Sequence, residues 1–267
     1  MTTFASVIIR RSVKIKQVLE ALERFAPLPL QESWDNAGLQ IGLTEAEVSG
    51  VLLCLDVTEA IIDEAVSKHC NLVVSHHPVL FHGLKQVSDL TDVQRTVRKA
   101  IRHDICVISM HTNMDNAKGG VNYKIAEKLG GKVLNSSDEE KQALVMAELT
   151  QPMTAADFIA MVKERFGVKC ALCNELLLRP ISRVAICGGA GDFMLDEAIS
   201  ARADAFITGE MHYHVYFGHE QQIQICVIGH YESEQFTSEI FHEIIEKECP
   251  GVTCKTAETN TNPIVYC

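Results

Sequence analysis

No apolar run in this sequence approaches the eighteen or so residues that a membrane span requires; the longest candidates, such as Val51 to Leu55, are strand-sized. No internal repeat, low-complexity tract or long linker interrupts the chain, so two separate beads on a string are a poor description of it. A basic patch is missing as well: 24 Lys and Arg stand against 35 Asp and Glu, a net charge of −11 that repels phosphate backbones and argues against nucleic-acid binding. The N-terminus is apolar first (Phe4 to Ile9) and charged after (Arg10, Arg11), the reverse of a secretory signal. Residues 1–19 carry no acid and include Lys14 and Lys16, a weak echo of a transit peptide; a short tail leading into a first helix explains them as well. Apolar residues make up 47% of the 267, which excludes intrinsic disorder and allows a sizeable core. Ten cysteines, several inside apolar runs (Cys54, Cys106, Cys187, Cys226), read as buried free thiols of a reducing compartment, and the expectation is a cytoplasmic protein without a membrane partner.

Short β-branched runs alternate with amphipathic stretches of helix length, the pattern of βαβ units around largely parallel sheets. The runs are 51–55, 72–74, 105–109, 144–149, 176–178, 184–187, 205–207 and 223–228. Helices are predicted over 14–25, 58–69, 92–103, 120–129, 155–165, 193–202 and 234–247. Thr58 and Thr154 carry helix-start signals, and Gly130-Gly131 a stop. The polar stretch Gly130 to Lys141 suggests a seam.

Histidine carries the chemical information. Eleven are present, and three clusters of metal-ligand residue types each follow a β run directly. LVVSHHPVLFHG supplies His76 and His77; ICVISMHTNMDNAKGG supplies His111 and Asp115; ICVIGHYESEQF supplies His230 and Glu234. Loops beyond the carboxyl ends of parallel strands converge, so three stretches distant in sequence deliver imidazole and carboxylate to one place. His76 and His77 would point to opposite faces of a regular strand, but at a strand-to-loop transition stiffened by Pro78 they could face two adjacent ions. Glu234, four residues after His230, could share its helical face and bridge both. Such ligation suits Zn, Mn, Fe or Co rather than Ca or Mg. A single strand-end histidine is more often a cap or a core residue, and His111 could equally support a ligand rather than be one; the three clusters together are far more specific.

SWDNAGLQIG (33–42), CLDVT (54–58), VVSHHPVLFHGLK (73–85), HTNMDNAKGGVN (111–122), FITGEMHYH (206–214) and GHYESE (229–234), in this order and spacing, resemble the dinuclear metal-centre family that includes bacterial YbgI. Its members are also known as type 2 GTP cyclohydrolase I homologues. The resemblance runs from about Val13 to the end and is weakest over 131–183. It implies two interlinked α/β lobes, with 1–131 plus 229–267 carrying the metal ligands and 132–228 contributing the TGE-x-H-x-H loop. It further implies a homohexameric ring, and two divalent ions per subunit: His76, Asp115 and Glu234 on one, His77, His230 and Glu234 on the other. Glu210 becomes a candidate catalytic proton shuttle, with His111, His212, Asp56 and Asn36 contacting substrate or supporting ligands. The implied activity is hydrolytic opening of the guanine imidazole ring of GTP with release of formate. A bimetallic hydrolase of another nucleotide or phosphoester is one alternative, and a non-catalytic metal-binding or regulatory ring is another.

The remaining motifs are ambiguous. GGAGD (188–192) could cradle a phosphate or merely turn the chain, and Lys85 and Lys118 are candidate phosphate partners. Cys170 and Cys173 form a lone CxxC that reads as two incidental thiols. Trp34, the only tryptophan, reads as packing.

Overall fold

A computed structural model of the chain describes residues 12–134 and 142–267; the N-terminal 1–11 and most of the predicted polar seam, 135–141, lie outside the described residues. Two mixed sheets organise the rest. In the first, β2 (Val51–Cys54), β3 (Leu72–Ser75) and β4 (Cys106–Ser109) run parallel. Strand β11 (Cys254–Thr256) adds a parallel edge beside β2, and β1 (Gly38–Ile41) an antiparallel edge beside β4. In the second, β8 (Ile181–Cys187), β9 (Ala205–Thr208) and β10 (Gln224–Val227) form the parallel centre. Antiparallel margins flank it: β6 (Val145–Met153) and β5 (Lys132–Val133) on one side, β7 (Leu172–Cys173) on the other.

Successive strand residues face opposite ways, and the core divides accordingly. Val51, Leu53, Leu72 and Val74 of the first sheet join Val184, Ile186, Ala205 and Ile207 of the second in one continuous apolar cluster. Three helices contribute to it: α1 (Ile15–Phe25), α5 (Val121–Lys128) and α9 (Thr237–Glu248). A fourth, α6 (Ala155–Phe166), adds Phe158, Val162 and Phe166. The alternate residues Leu52, Cys54 and Val73 pack outward under α2 (Glu59–Ser67) and α3 (Asp92–Arg102). On the second sheet Phe206, Ala185 and Ile225 pack under α7 (Leu195–Ser200). One shared core therefore locks the two sheets together, and each fully buried Leu, Ile or Phe contributes about 1.5–3 kcal/mol of transfer free energy.

The local signals act as their chemistry requires. Thr58 Oγ1 accepts from Ile61 N and Thr154 Oγ1 from Asp157 N, capping α2 and α6. Gly130, at φ +62°, turns the chain out of α5 in the left-handed conformation that ends a helix. The apolar run 176–178 does not form a strand. There the amides of Leu177 and Leu178 donate to the side chains of Gln224 and Gln221 rather than to a ladder, and Leu178 is exposed. The predicted helix 234–247 is α9, and a separate short helix, α8 (His230–Glu234), precedes it. Strands β1, β5, β7 and β11 went unpredicted: the last three are two or three residues each, and β1, with Gly38 and Gln40 among its four, carries no β-branched run. Among the described residues no helix is long and apolar enough to cross a membrane.

Candidate metal centre

The candidate ligands follow the carboxyl ends of parallel strands from both sheets. Beyond β3 the amides of His76 and His77 both donate to Leu55 O, at 3.2 and 2.9 Å, which breaks the regular alternation and lets both rings reach one space. Beyond β4, His111 precedes the short helix α4 (Thr112–Asp115), which ends on Asp115. Beyond β10, Gly229 turns at φ +101° and starts α8, placing His230 and Glu234 one helical turn apart on the same face. A side chain at Gly229 would be strained by that φ and would collide with Glu232.

Three donor sets result, each with its ligand atoms within 4.8 Å of one another: His76, Asp115 and Glu234; His77, His230 and Glu234; and His76, His77 and His111. Glu234 belongs to the first two. Its Oε2 stands 3.0 Å from His77 Nε2 and 3.2 Å from His230 Nε2, while Oε1 is 3.7 Å from His76 Nε2. The two Nε2 atoms of His77 and His230 are 3.4 Å apart. The opposite nitrogen of every ring is already tied. His76 Nδ1 meets Met110 O at 2.9 Å, His77 Nδ1 meets Asp56 Oδ1 at 2.7 Å, and His230 Nδ1 meets Glu210 Oε1 at 2.8 Å. His111 Nδ1 meets Asp35 Oδ1 at 2.7 Å. These contacts fix ring orientation and leave the Nε2 atoms directed inward.

The residues fit divalent metal. His76 Nε2 is buried and has no hydrogen-bond partner, although Asp115 Oδ1 and Glu234 Oε1 stand 3.5 and 3.7 Å away. An orphaned buried nitrogen facing two carboxylates costs free energy unless a cation lies between them. Electrostatics agree. Burial and then the charge of Glu234 push Asp115 well above the usual carboxylate range. Burial opposes ionisation of Glu234 too, but the nearby His76 imidazole and the close contacts with His230 and His77 hold it well below. Burial alone would lower His77 and His230; their carboxylate partners outweigh it and raise them to about 10 and about 9. His76, fully buried with a neutral carbonyl behind it, is lowered instead. Imidazole and carboxylate donors of this kind suit Zn, Mn, Fe or Co.

The other candidates are placed as follows. Asp56 holds His77 and is itself held by Thr261 Oγ1 at 2.6 Å. His111 lines the cavity over the centre, about 530 Å³ in volume, with Asp115, His77, His230 and Glu234. Glu210 does not line that cavity: half exposed, it stands behind His230 and accepts from its Nδ1. His212 points to solvent and bonds Asp192 at 2.5 Å, and Asn36 ties its loop to Leu80 O; neither lines the cavity. Lys85 and Lys118 do not line it either.

The GGAGD loop does border the cavity, but as a turn. The amides of Gly188, Gly189 and Gly191 donate to Asn122, Ser233 and Thr208, so they are spent before any phosphate arrives. A Cβ on Gly189 would strike Glu234 Oε1, so this glycine makes room for the shared carboxylate. Cys173 on β7 registers with Cys226 on β10, and both it and Cys170 are free thiols away from the donor sets.

Two residues escaped the sequence reading. Asp35, its side chain fully buried, lies next to the singled-out Asn36 and performs the orienting role: it accepts from His111 and from Thr112 N and Oγ1. Burial would raise its pKa, but those hydrogen bonds lower it to about 2. Trp34 is not packing. It is 59% exposed on the rim of the cavity, 5.8 Å from the Phe81 ring.

Fold and site together define an α/β protein with a histidine and carboxylate centre at the ends of parallel strands. Over residues 13–263 the sequence matches the family described as Duf34/NIF3 (NGG1p interacting factor 3), and the chain belongs to that family. It is 34% identical over 228 residues to a Clostridium perfringens protein named GTP cyclohydrolase 1 type 2 homolog, covering 83% of this chain and 87% of that one. The crystal structure of Staphylococcus aureus hypothetical protein SA1388 superposes with a TM-score of 0.87 at 27% identity, over 96% of this chain and all of that one. The structure of protein ybgI, described as of unknown function, has the same fold: TM-score 0.83, 23% identity, 94% of this chain and all of that one.

Proposed function

We propose that this protein is a metal-dependent hydrolase that opens the imidazole ring of a guanine nucleotide, the activity for which its Clostridium relative is named. One observation carries the reading: two donor sets, His76, Asp115 and Glu234 and His77, His230 and Glu234, meet on the floor of a cavity large enough for a nucleobase. Divalent ions held there would supply Lewis acidity and water activated at neutral pH. The chain's own residues do the rest. Asp56, Glu210 and the Met110 carbonyl hold three rings so that Nε2 faces the centre. Asp35, ionised at neutral pH, keeps the Nδ1 proton of His111 on its own side, which leaves His111 Nε2 free to exchange a proton with a ligand in the cavity.

Two ions per subunit, chosen among Zn, Fe, Mn and Co, and a homohexameric ring in the cytoplasm complete the proposal. Native mass spectrometry is expected to give six subunits. The activity test is formate release from GTP by the wild type and by His111→Gln: metal-dependent formate in the first, reduced at least tenfold in the second, supports the reading. Metal-loaded protein that releases no formate from GTP overturns it.

A further inference from the structure

The wall of the cavity says more about its ligand than the floor does. Trp34, Phe81 and His111 form a three-ring cluster with centroids 5.8, 6.1 and 6.2 Å apart, and Phe193 lies on the same rim. Trp34, Phe81 and Phe193 are 59%, 40% and 71% exposed, a large apolar cost to carry beside a polar centre unless a ligand covers it. Charge runs the other way from a phosphate site. Among the described residues lining the cavity there is no Lys or Arg, while Glu32, Asp115 and Glu234 all face it. The glycine loop offers no free amides at Gly188, Gly189 or Gly191, and Asn122 is committed to Gly188 N and to the carbonyls of Asp115 and Ala143.

We infer that this cavity recognises a planar heteroaromatic base by stacking on Trp34 and Phe81, and that the described side chains lining it give a nucleotide's phosphates no cationic hold. The inference deepens the proposed function and rests on its placement of the ligand over the donor sets. Stacking is tolerant of which base is offered, so chemistry at the centre rather than the grip would select the substrate.

Trp34 is the only tryptophan, so emission excited selectively from tryptophan, clear of the five tyrosines, reports on this wall alone. The full chain is titrated, before and after removal of metal by a chelator, with guanosine, adenosine, GTP and tripolyphosphate. Guanosine and adenosine are expected to quench Trp34 in both states, and in the stripped protein guanosine is expected to bind within about threefold of GTP, since phosphate adds little. Tripolyphosphate is expected neither to quench nor to displace guanosine there. By calorimetry, Trp34→Leu is expected to weaken guanosine about tenfold while Trp34→Phe, which keeps a ring, restores most of the affinity. Displacement of guanosine by tripolyphosphate from the stripped protein, or emission unmoved by either nucleoside, overturns the inference. Guanosine binding without formate release from GTP would remove the proposed reaction and leave this inference standing. Turnover of GTP with undisturbed Trp34 emission would do the reverse.

Discussion

The two donor sets share Glu234 but are built differently around it. His76 is fully buried, its Nδ1 rests on a neutral carbonyl, and its partner Asp115 brings a second carboxyl group into the set. His77 and His230 are partly open to solvent, and each is backed by a carboxylate, Asp56 or Glu210. Behind a fully buried imidazole, a neutral carbonyl costs less desolvation than a carboxylate would. Near solvent a carboxylate is cheaper and makes the ring a stronger donor. Beyond the shared Glu234, the inner set has its further carboxylate among the ligands, and the outer set has its two behind them.

Variants separate the two sets by size of effect. Glu234→Ala removes the shared ligand and leaves His76 with Asp115 in one set and His77 with His230 in the other; chelator competition is expected to show affinity lowered at least ~100-fold at both sets. Asp56→Ala takes away only the support of His77, so a titration resolving two affinities is expected to lose about 10- to 100-fold at one set and leave the other unchanged. Equal losses at both would erase the distinction.

The outer set also carries two histidines whose pKa values are raised. In metal-free protein, His77 and His230 have folded-state values of about 10 and about 9, above the unfolded value near 6.5. Their protonation therefore stabilises the fold fully below about pH 6.5, and that contribution is lost as pH rises through 9 to 10. Metal must displace the same protons, so affinity is expected to rise between pH 6.5 and 8.5 by up to about tenfold per unit for each proton released. Isothermal titration in buffers of different ionisation enthalpy counts those protons. The smallest effect belongs to Thr261→Val, which deletes the 2.6 Å bond to Asp56; about 1 kcal/mol of thermal stability and a few-fold loss at the outer set alone are expected.

Sequence periodicity located most of the helices and the longer strands because burial on alternate or helical faces writes itself into local pattern. It missed β5, β7 and β11, two or three residues each, whose pairing partners are remote, and it took 176–178 for a strand where glutamine side chains intercept the amides. His76, His77, His111, Asp115, His230 and Glu234 were legible because each follows a strand end, and the carboxyl ends of β3, β4 and β10 come together from the two sheets. Asp35 and Trp34 were not. Their roles depend on partners in other loops, His111 and Phe81, and a residue between a serine and an asparagine in a polar loop carries no periodic sign of the cavity it borders.

The most direct test is elemental analysis of the purified wild type beside His76→Ala, His77→Ala and Glu234→Ala, with circular dichroism confirming that each is folded. The account predicts close to two transition-metal equivalents per subunit in the wild type, a partial loss in each histidine variant and almost none in Glu234→Ala. Metal content in Glu234→Ala equal to that of the wild type would contradict it.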